Sequence, residues 1–399
     1  MAEKKTAAQG FRTRMSHVGR AGKRVHGFVN PPLLRGSTVL YPTMAERKAV
    51  AGKRGQQVLS YGLGGSETHW ALENAVAEIE GGTRCQLVGS GLAAVTVPLL
   101  AFLNAGEHCL MPDSVYGPAR TFATTVLPRL GIETTFYDPC VDEAGLAELM
   151  RANTTVVYTE SPGSHTFEVQ DMPALARAAH ARGAKVLMDN TWGIHFFQPF
   201  QHGVDVSIQA LTKYPAGHSD VLIGGVTVNT DADWKRLHAT ASALGQYASP
   251  DDCWLTLRGI RTLGVRLAAQ MRAGLEVARW FAGRPEVAQV LHPALPGAPG
   301  HEIWKRDFTG ACSLFGVVFQ PAFSPEDTHR FVEALELFGI GASWGGYESL
   351  ALPTTGFITR TGAGTFPGPA VRIHVGLENV ADLIADLERG LVALRERGS

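Results

Sequence analysis

Apolar residues recur along this chain in blocks of two kinds. From about residue 66, segments with helical spacing alternate with short, almost wholly apolar runs. Trp70, Leu72, Val76 and Ile79 mark a helix over 67–80, stopped by Gly81-Gly82. The pattern then predicts a strand at 85–88, a helix at 91–103, a strand at 108–111, a helix near 117–130 and a strand at 132–137. T-T-V-V-Y-T-E (154–160) reads as a strand, and a helix at 171–182 leads into the run A-K-V-L-M, which ends at Asp189. A further apolar segment, V-D-V-S-I-Q-A-L, ends just before T-K-Y at 212–214. This alternation predicts an α/β fold: a mostly parallel sheet with helices on both faces.

The pattern changes at both flanks. Residues 1–65 are rich in Gly, Pro and basic residues with little periodicity, and read as an extended arm. The Tyr and Gly cluster at 61–65 favours an arm laid against another surface. A long helical stretch, about 250–282, bridges to a smaller α+β C-terminal domain. That domain reads as a strand at 313–319, a helix at 325–338, a Gly-rich segment at 339–346, a strand at 371–375 and a helix at 378–395. The expected division is an arm (1–65), a large domain (66–260) and a C-terminal domain (261–399).

Composition excludes several classes. The 399 residues are 45% hydrophobic, which fits a packed protein and not a disordered one. A formal charge of −1 gives no electrostatic case for nucleic acid or an anionic membrane. M-A-E-K-K-T-A-A-Q-G lacks the apolar core of a signal peptide, and V-T-V-P-L-L-A-F-L is too short to span a bilayer. The cysteines (85, 109, 140, 253 and 312) are odd in number and without C-x-x-C spacing. They are expected to be reduced, buried thiols, with the cytoplasm as compartment.

Ligands of open α/β sheets bind at the carboxyl ends of the strands. Gly89, Tyr116, Glu160, Asp189 and Lys213 all fall at or just after predicted strand ends, or at the helix that follows. A carboxylate and a lysine so placed are what pyridoxal phosphate (PLP) chemistry needs: the amine holds the cofactor aldehyde as a Schiff base, and the carboxylate keeps the pyridine nitrogen protonated. Alone, such an Asp is usually a cap and such a Lys a solvated charge. G-S-G-L-A-A (89–94) offers backbone N–H groups at a helix start, a good phosphate site. It also fits G-x-G-x-x-A with Asp113 about 20 residues on, so an NAD-binding oxidoreductase competes, though it gives Asp189 and Lys213 no role. Tyr116 could stack on a planar ring or be a half-buried packing residue. Arg372 and His374 share one face of V-R-I-H-V, where Arg372 is either a carboxylate grip or an exposed charge on an edge strand. His301-Glu302 lacks the second His of a zinc helix, and no G-x-S-x-G elbow occurs.

The ordered segments V-N-P-P (29–32), Y-G (61–62), Y-G-P (116–118), E-S-P-G-S (160–164), D-N-T-W (189–192), T-K-Y (212–214), G-H-S-D (217–220), H-P-A-L-P-G (292–297), S-W-G-G-Y-E-S (343–349) and R-I-H-V-G-L-E (372–378) resemble the Cys/Met-metabolism PLP enzymes, the cystathionine lyases and synthase. The resemblance implies PLP fold type I (aspartate aminotransferase-like) and a homotetramer built as a dimer of dimers. It implies Lys213 as the Schiff-base lysine, Asp189 as the pyridine partner and Tyr116 stacked on the ring. Thr212 with the Gly91 and Leu92 amides would hold the phosphate. Arg372, helped by Ser343 and Trp344, would bind the substrate carboxylate, and Tyr61 would reach into the neighbouring subunit's active site.

Within the family, W-G-G-Y-E-S and E-S-P-G-S look like β-lyases, and the γ-enzymes carry a Glu at the position matching Ala342. The expected reaction is therefore β-elimination from an amino-acid thioether such as cystathionine, giving a thiol (homocysteine), pyruvate and ammonia, a step of methionine biosynthesis. A γ-lyase or γ-synthase is the alternative. Leu63, Ala210 and Ala342 depart from the family's Arg, Ser and Tyr. All three remove polar groups, which predicts a roomier, less charged pocket and wider thioether use.

Overall fold

The computed structural model describes residues 9–20, 27–53, 55–361, 364 and 366–396. Parts of the expected arm (1–8, 21–26 and 54) and of the C-terminal domain (362–363, 365 and 397–399) lie outside the described residues.

One sheet contains β1 (Arg84–Val88), β2 (His108–Pro112), β3 (Glu133–Tyr137), β4 (Thr154–Glu160), β5 (Lys185–Asp189), β6 (Val206–Gln209) and β7 (Gly224–Val228), in the order β1-β7-β6-β5-β4-β2-β3. Only β7 runs against the others, paired antiparallel with both β1 and β6. The helices before and between these strands are α1 (Phe11–His17), α2 (Met44–Ala49), α3 (Glu67–Glu80), α4 (Gly91–Phe102), α5 (Gly117–Thr125), α6 (Glu143–Leu149) and α7 (Met172–Ala181), and α8 (Asp231–Ala243) comes after β7. The 33-residue α9 (Pro250–Ala282) follows.

The inner strands are largely buried, and mostly apolar at their centres, because both faces are covered. Successive β5 residues alternate between two cores. Val186 and Met188 pack with α3, α7 and the first half of α9 (Leu72, Leu175, Ile260). Leu187 packs on the other side with α4, α5 and α8 (Val97, Ala123, Leu237). The smaller sheet joins β8 (Val287–Leu291), β9 (Leu314–Phe319), β10 (Gly339–Ile340), β11 (Leu350–Pro353) and β12 (Ala370–His374) in the order β10-β11-β12-β9-β8. It shares a third core with α11 (Pro325–Glu333), α12 (Val380–Arg395) and the last turns of α9, through Val277, Phe281, Phe331 and Leu387. The short α10 (His301–Asp307) sits between the first two strands of this sheet in sequence.

Several elements differ from the sequence pattern. The helix expected over 117–130 ends at Thr125, and Leu127–Leu130 form a separate 3₁₀ turn around Pro128, which has no N–H to give. The helix expected to 338 ends at Glu333, where Leu335 and Phe338 turn into the third core instead. Strand β7, sequence G-G-V-T-V, was hidden by its two glycines, which are poor strand formers. Cys140 is exposed, unlike the other four cysteines. Part of the arm is a helix: α1 buries Met15 against the chain's own α9, where Arg261 donates to the Met15 and Val18 carbonyls at 2.7 Å.

Beneath the β5 and β6 ends lies a buried carboxyl, Glu80, the last residue of α3. It accepts hydrogen bonds from Asn190 Nδ2 (3.1 Å), Gln209 Nε2 (2.8 Å) and the Ser207 hydroxyl. Burial pushes its pKa from 4.5 up to about 7, against the pull of those donors. The folded protein therefore holds a proton that the unfolded chain loses, and stability from this group falls as pH rises from about 4.5 to 7. Glu80→Gln should flatten that part of the Tm-against-pH curve. An unchanged slope would show that Glu80 does not titrate there.

Candidate functional site

The carboxyl ends of β2, β4, β5 and β6 open on one cavity of about 300 Å³, closed on its far side by Ala342, Trp344 and Arg372 of the small domain. Tyr116, Glu160, Asp189, Thr212, Lys213, Gly91 and Leu92 all line it. Parallel strands carry their ends to the same rim, and that geometry gathers residues spread over more than a hundred positions.

Asp189 ends β5, and its Oδ1 accepts the Thr191 amide at 3.0 Å. Burial raises its pKa, while the Thr191 donors and the Lys213 charge oppose the rise. Lys213 lies in the turn after β6. Its Nζ donates to Ser343 Oγ at 2.8 Å and sits 5.4 Å from the centre of a Trp344 ring. Burial, with the charge of Arg372, pulls its amine down to about 8; Asp189 pulls the other way. Ser343 and Trp344 reach Lys213 because Gly345 follows them at φ +88°. A Cβ there would stand 2.7 Å from the Tyr214 amide nitrogen and 3.0 Å from the Lys213 carbonyl carbon. Only a residue without a side chain lets this segment lie on the Lys213 backbone.

Arg372 is in the middle of the small sheet, between β9 and β11, so it is not on an edge strand. It is 6% exposed. One guanidinium nitrogen donates to the carbonyls of Gly341 (3.0 Å), Ala342 (2.9 Å) and Ser343 (3.0 Å). Among the described residues Arg372 meets no carboxylate. Burial lowers its pKa to about 10, which leaves it charged at neutral pH. His374, on the same face of the strand, is fully buried, and its Nε2 is 3.1 Å from the Gly345 amide.

Tyr116 opens α5, and its amide donates to Glu160 Oε2 at 2.7 Å. The β4–β5 register sets Glu160 directly beside Asp189. Burial first, then the Asp189 charge, raises the Glu160 pKa well above the carboxylate range. A charge on Asp189 thus disfavours one on Glu160.

The first amides of α4 have no intrahelical acceptor. Gly91 brings them close to Ala210: a Cβ at 91 would stand 2.8 Å from the Ala210 Cβ. The Thr212 hydroxyl donates to the Ile223 carbonyl (3.2 Å) and accepts the Ile223 amide (3.0 Å). An amine, a carboxylate, a half-exposed aromatic ring and a helix start thus face one space. This set fits PLP: Lys213 would hold its aldehyde carbon, Asp189 its ring nitrogen, Tyr116 its face and the Gly91 and Leu92 amides its phosphate.

Tyr61 does not line the cavity; it lies on the exposed arm, 45% exposed. Leu63 lines a separate, smaller cavity beside His69 and Tyr247. Of the departures from the family pattern, Ala210 and Ala342 both face the main cavity. Residue-by-residue reading missed Thr191, Trp192, His165 and Phe167, which also line it. Their one signal was position: Thr191 and Trp192 lie within D-N-T-W, and His165 and Phe167 follow E-S-P-G-S. The strand β1 that feeds Gly89–Ala94 is an edge strand beside an antiparallel neighbour, unlike the parallel βαβ unit of a dinucleotide site.

A family model described as "Cys/Met metabolism PLP-dependent enzyme" matches residues 12–392. The chain is 45% identical over 397 residues to the cystathionine beta-lyase of Bordetella avium, covering 97% of this chain and 98% of that one. It is 40% identical over 389 residues to the cystathionine beta-lyase MetC of Escherichia coli, covering 96% and 98%. The crystal structure of metB from Corynebacterium glutamicum superposes with a TM-score of 0.89 at 29% identity, covering 97% of this chain and 99% of that one.

Proposed function

Because this chain belongs to the Cys/Met metabolism family of PLP-dependent enzymes, we propose that it cleaves the Cβ–S bond of cysteine thioethers, cystathionine among them, to a thiol, pyruvate and ammonia. It is a PLP-dependent lyase, and pyridoxal 5'-phosphate is its cofactor. The reading rests on one observation: Lys213 and Asp189 face the same cavity, with the guanidinium of Arg372, which meets no carboxylate among the described residues, on its wall.

When bound, PLP draws electrons from the substrate's α-carbon, which makes the proton there removable. The side chains would do the rest. Arg372 grips the α-carboxylate with its remaining N–H groups and so orients the α-carbon. Lys213, with an amine near pKa 8, takes the α-proton and returns one later. Ser343 holds that amine in place from the small-domain side. Asp189, whose carboxylate the Thr191 donors and the Lys213 charge favour against the effect of burial, would hold the ring nitrogen's proton.

Cleavage at Cβ rather than Cγ is supported by Ala342, which puts no carboxylate on the cavity wall. Product analysis on cystathionine separates the two. Pyruvate with homocysteine is the expected pair; 2-oxobutyrate with cysteine alone would make the chain a γ-lyase.

The division into an arm and two domains supports a shared site as well. Phe28, Val29, Leu40 and Met44 are 82%, 67%, 88% and 61% exposed, an apolar stretch that a single chain leaves to water. We place this arm on a second copy of the chain, where Tyr61 would enter the neighbouring cavity, in a dimer or a dimer of dimers. Among the described residues no helix is long and apolar enough to cross a membrane.

A further inference from the structure

Arg372 and His374 share one face of β12, and the lyase chemistry uses only the first. His374 does not line the cavity, and it is fully buried. A polar ring is buried at little cost only when its nitrogens are matched. Here both have partners. Nε2 lies 3.1 Å from the Gly345 amide nitrogen and 3.3 Å from the Gly346 carbonyl oxygen, and Nδ1 lies 3.3 Å from Ser313 Oγ.

Those partners fix the tautomer. Burial above all, with the charges of Arg372 and Lys213, pulls the pKa to about 3, so the ring is neutral and carries one N–H. The buried Gly345 amide can only donate, and among the described residues His374 Nε2 is its acceptor. The Gly346 carbonyl already accepts from Gln270 Nε2 at 2.8 Å. Nε2 is therefore the acceptor, and the hydrogen sits on Nδ1, which donates to Ser313 Oγ. That hydroxyl donates to the Val375 carbonyl at 2.6 Å. It accepts from the Tyr214 hydroxyl (3.1 Å), whose oxygen in turn takes the Ser313 amide (3.1 Å). In this arrangement every one of these buried donors is matched; with the hydrogen on Nε2, the Gly345 amide would be orphaned.

The bonds join pieces of the site that are far apart in sequence. Tyr214 follows Lys213, and its ring meets Trp344 at 5.6 Å and His374 at 5.8 Å. Gly345 follows Ser343 and Trp344, the two side chains that face the Lys213 amine. Strand β12 thus grips one segment at two points, about 7 Å apart along the strand. Arg372 holds the carbonyls of Gly341, Ala342 and Ser343, and His374 holds the amide of Gly345. The two grips differ in kind. Arg372 lines the cavity and would be engaged by a substrate anion, whereas His374 has no face there, so its hold on Gly345 persists when the cavity fills.

We infer that His374 is a positioning residue: by accepting the Gly345 amide it keeps Ser343 and Trp344 against the Lys213 amine. The inference rests on the reading of Lys213 as the group that moves the α-proton. His374 itself touches neither the cavity nor that amine, and acts through the segment it holds.

Two amide side chains separate the two bonds. The amide group of Gln reaches the place of Nε2, and that of Asn only the place of Nδ1. His374→Gln therefore keeps an acceptor for Gly345 and gives up the bond to Ser313; His374→Asn keeps the bond to Ser313 and orphans the Gly345 amide. In the holoenzyme, kcat for pyruvate release from cystathionine should fall roughly tenfold to a hundredfold in His374→Asn, the scale for a misplaced reacting group, and should recover most of that loss in His374→Gln. The midpoint of the pH titration of the cofactor's absorbance, which reads the bond that Lys213 makes to it, should move by about half a pH unit or more in His374→Asn and hold in His374→Gln. Both variants should lose Tm, because each leaves one buried group unmatched. Equal kcat and equal midpoints in the two variants, or the larger loss in His374→Gln, would overturn the inference, since the imidazole would then serve the fold alone. Should neither variant fold, hydrogen exchange on the wild-type holoenzyme decides: a Gly345 amide far slower than that of the exposed Tyr347 supports the hold, and one equally fast refutes it. A wild-type protein that releases no pyruvate from any thioether would remove the lyase reading instead, and the absorbance titration would still judge His374.

Discussion

Lys213→Ala should lower kcat for pyruvate release by roughly 10³-fold or more, because one substitution removes both the cofactor's anchor and the group that moves the α-proton. The structure gives the amine no substitute. The amine's neighbours are Ser343, a hydroxyl at 2.8 Å, and Trp344, neither of which is a base near neutral pH. The depressed pKa, about 8, is a product of burial and of Arg372, so a lysine placed elsewhere would not inherit it. Borohydride treatment of the wild-type protein, followed by peptide mass mapping, should find the cofactor fixed to the peptide that contains Lys213. The variant should lose its yellow colour on dialysis. If Lys213→Ala kept a tenth of the wild-type rate, the amine would have no part in the chemistry.

Arg372→Leu is expected to reduce kcat/KM by about 10²- to 10³-fold, the range for deleting one partner of a buried charge pair. A buried cation costs several kcal/mol unless an anion meets it. Here three carbonyl oxygens share a single guanidinium nitrogen and no carboxylate is in reach among the described residues, so the site is built for an anion that arrives with substrate. The loss should lie mainly in KM, and the cofactor's absorbance should not move. Arg372→Lys should recover part of the loss, because a point charge replaces the fork but cannot grip in two places. Because Arg372 also ties down the 341–343 carbonyls, the variant's Tm should be measured alongside. An unchanged KM in a folded variant would take the carboxylate role away from this residue.

The dinucleotide alternative for Gly89–Ala94 gave way on topology. A fingerprint of glycines is local, but whether it feeds a parallel βαβ unit depends on which strand lies beside β1. That neighbour is β7, about 140 residues later and antiparallel. The same holds for Arg372. Periodicity put it on one face of a strand with His374, but whether that strand was an edge or a centre depended on β9 and β11 closing on either side.

The sequence by itself determined the fold class, the apolar inner strands and the strand-end positions of Asp189 and Lys213. These follow from local rules: period, turn residues and the requirement that buried strands be apolar on both faces. It also carried, through ordered motifs, the family and the cofactor. Tertiary structure alone decided what depends on distant segments meeting. It put Ser343 and Trp344 on Lys213 by way of a glycine that no side chain could replace, and set Glu160 beside Asp189. Burial and neighbouring charge set the state of an ionisable group, and both are properties of the packed chain rather than of the segment that bears it.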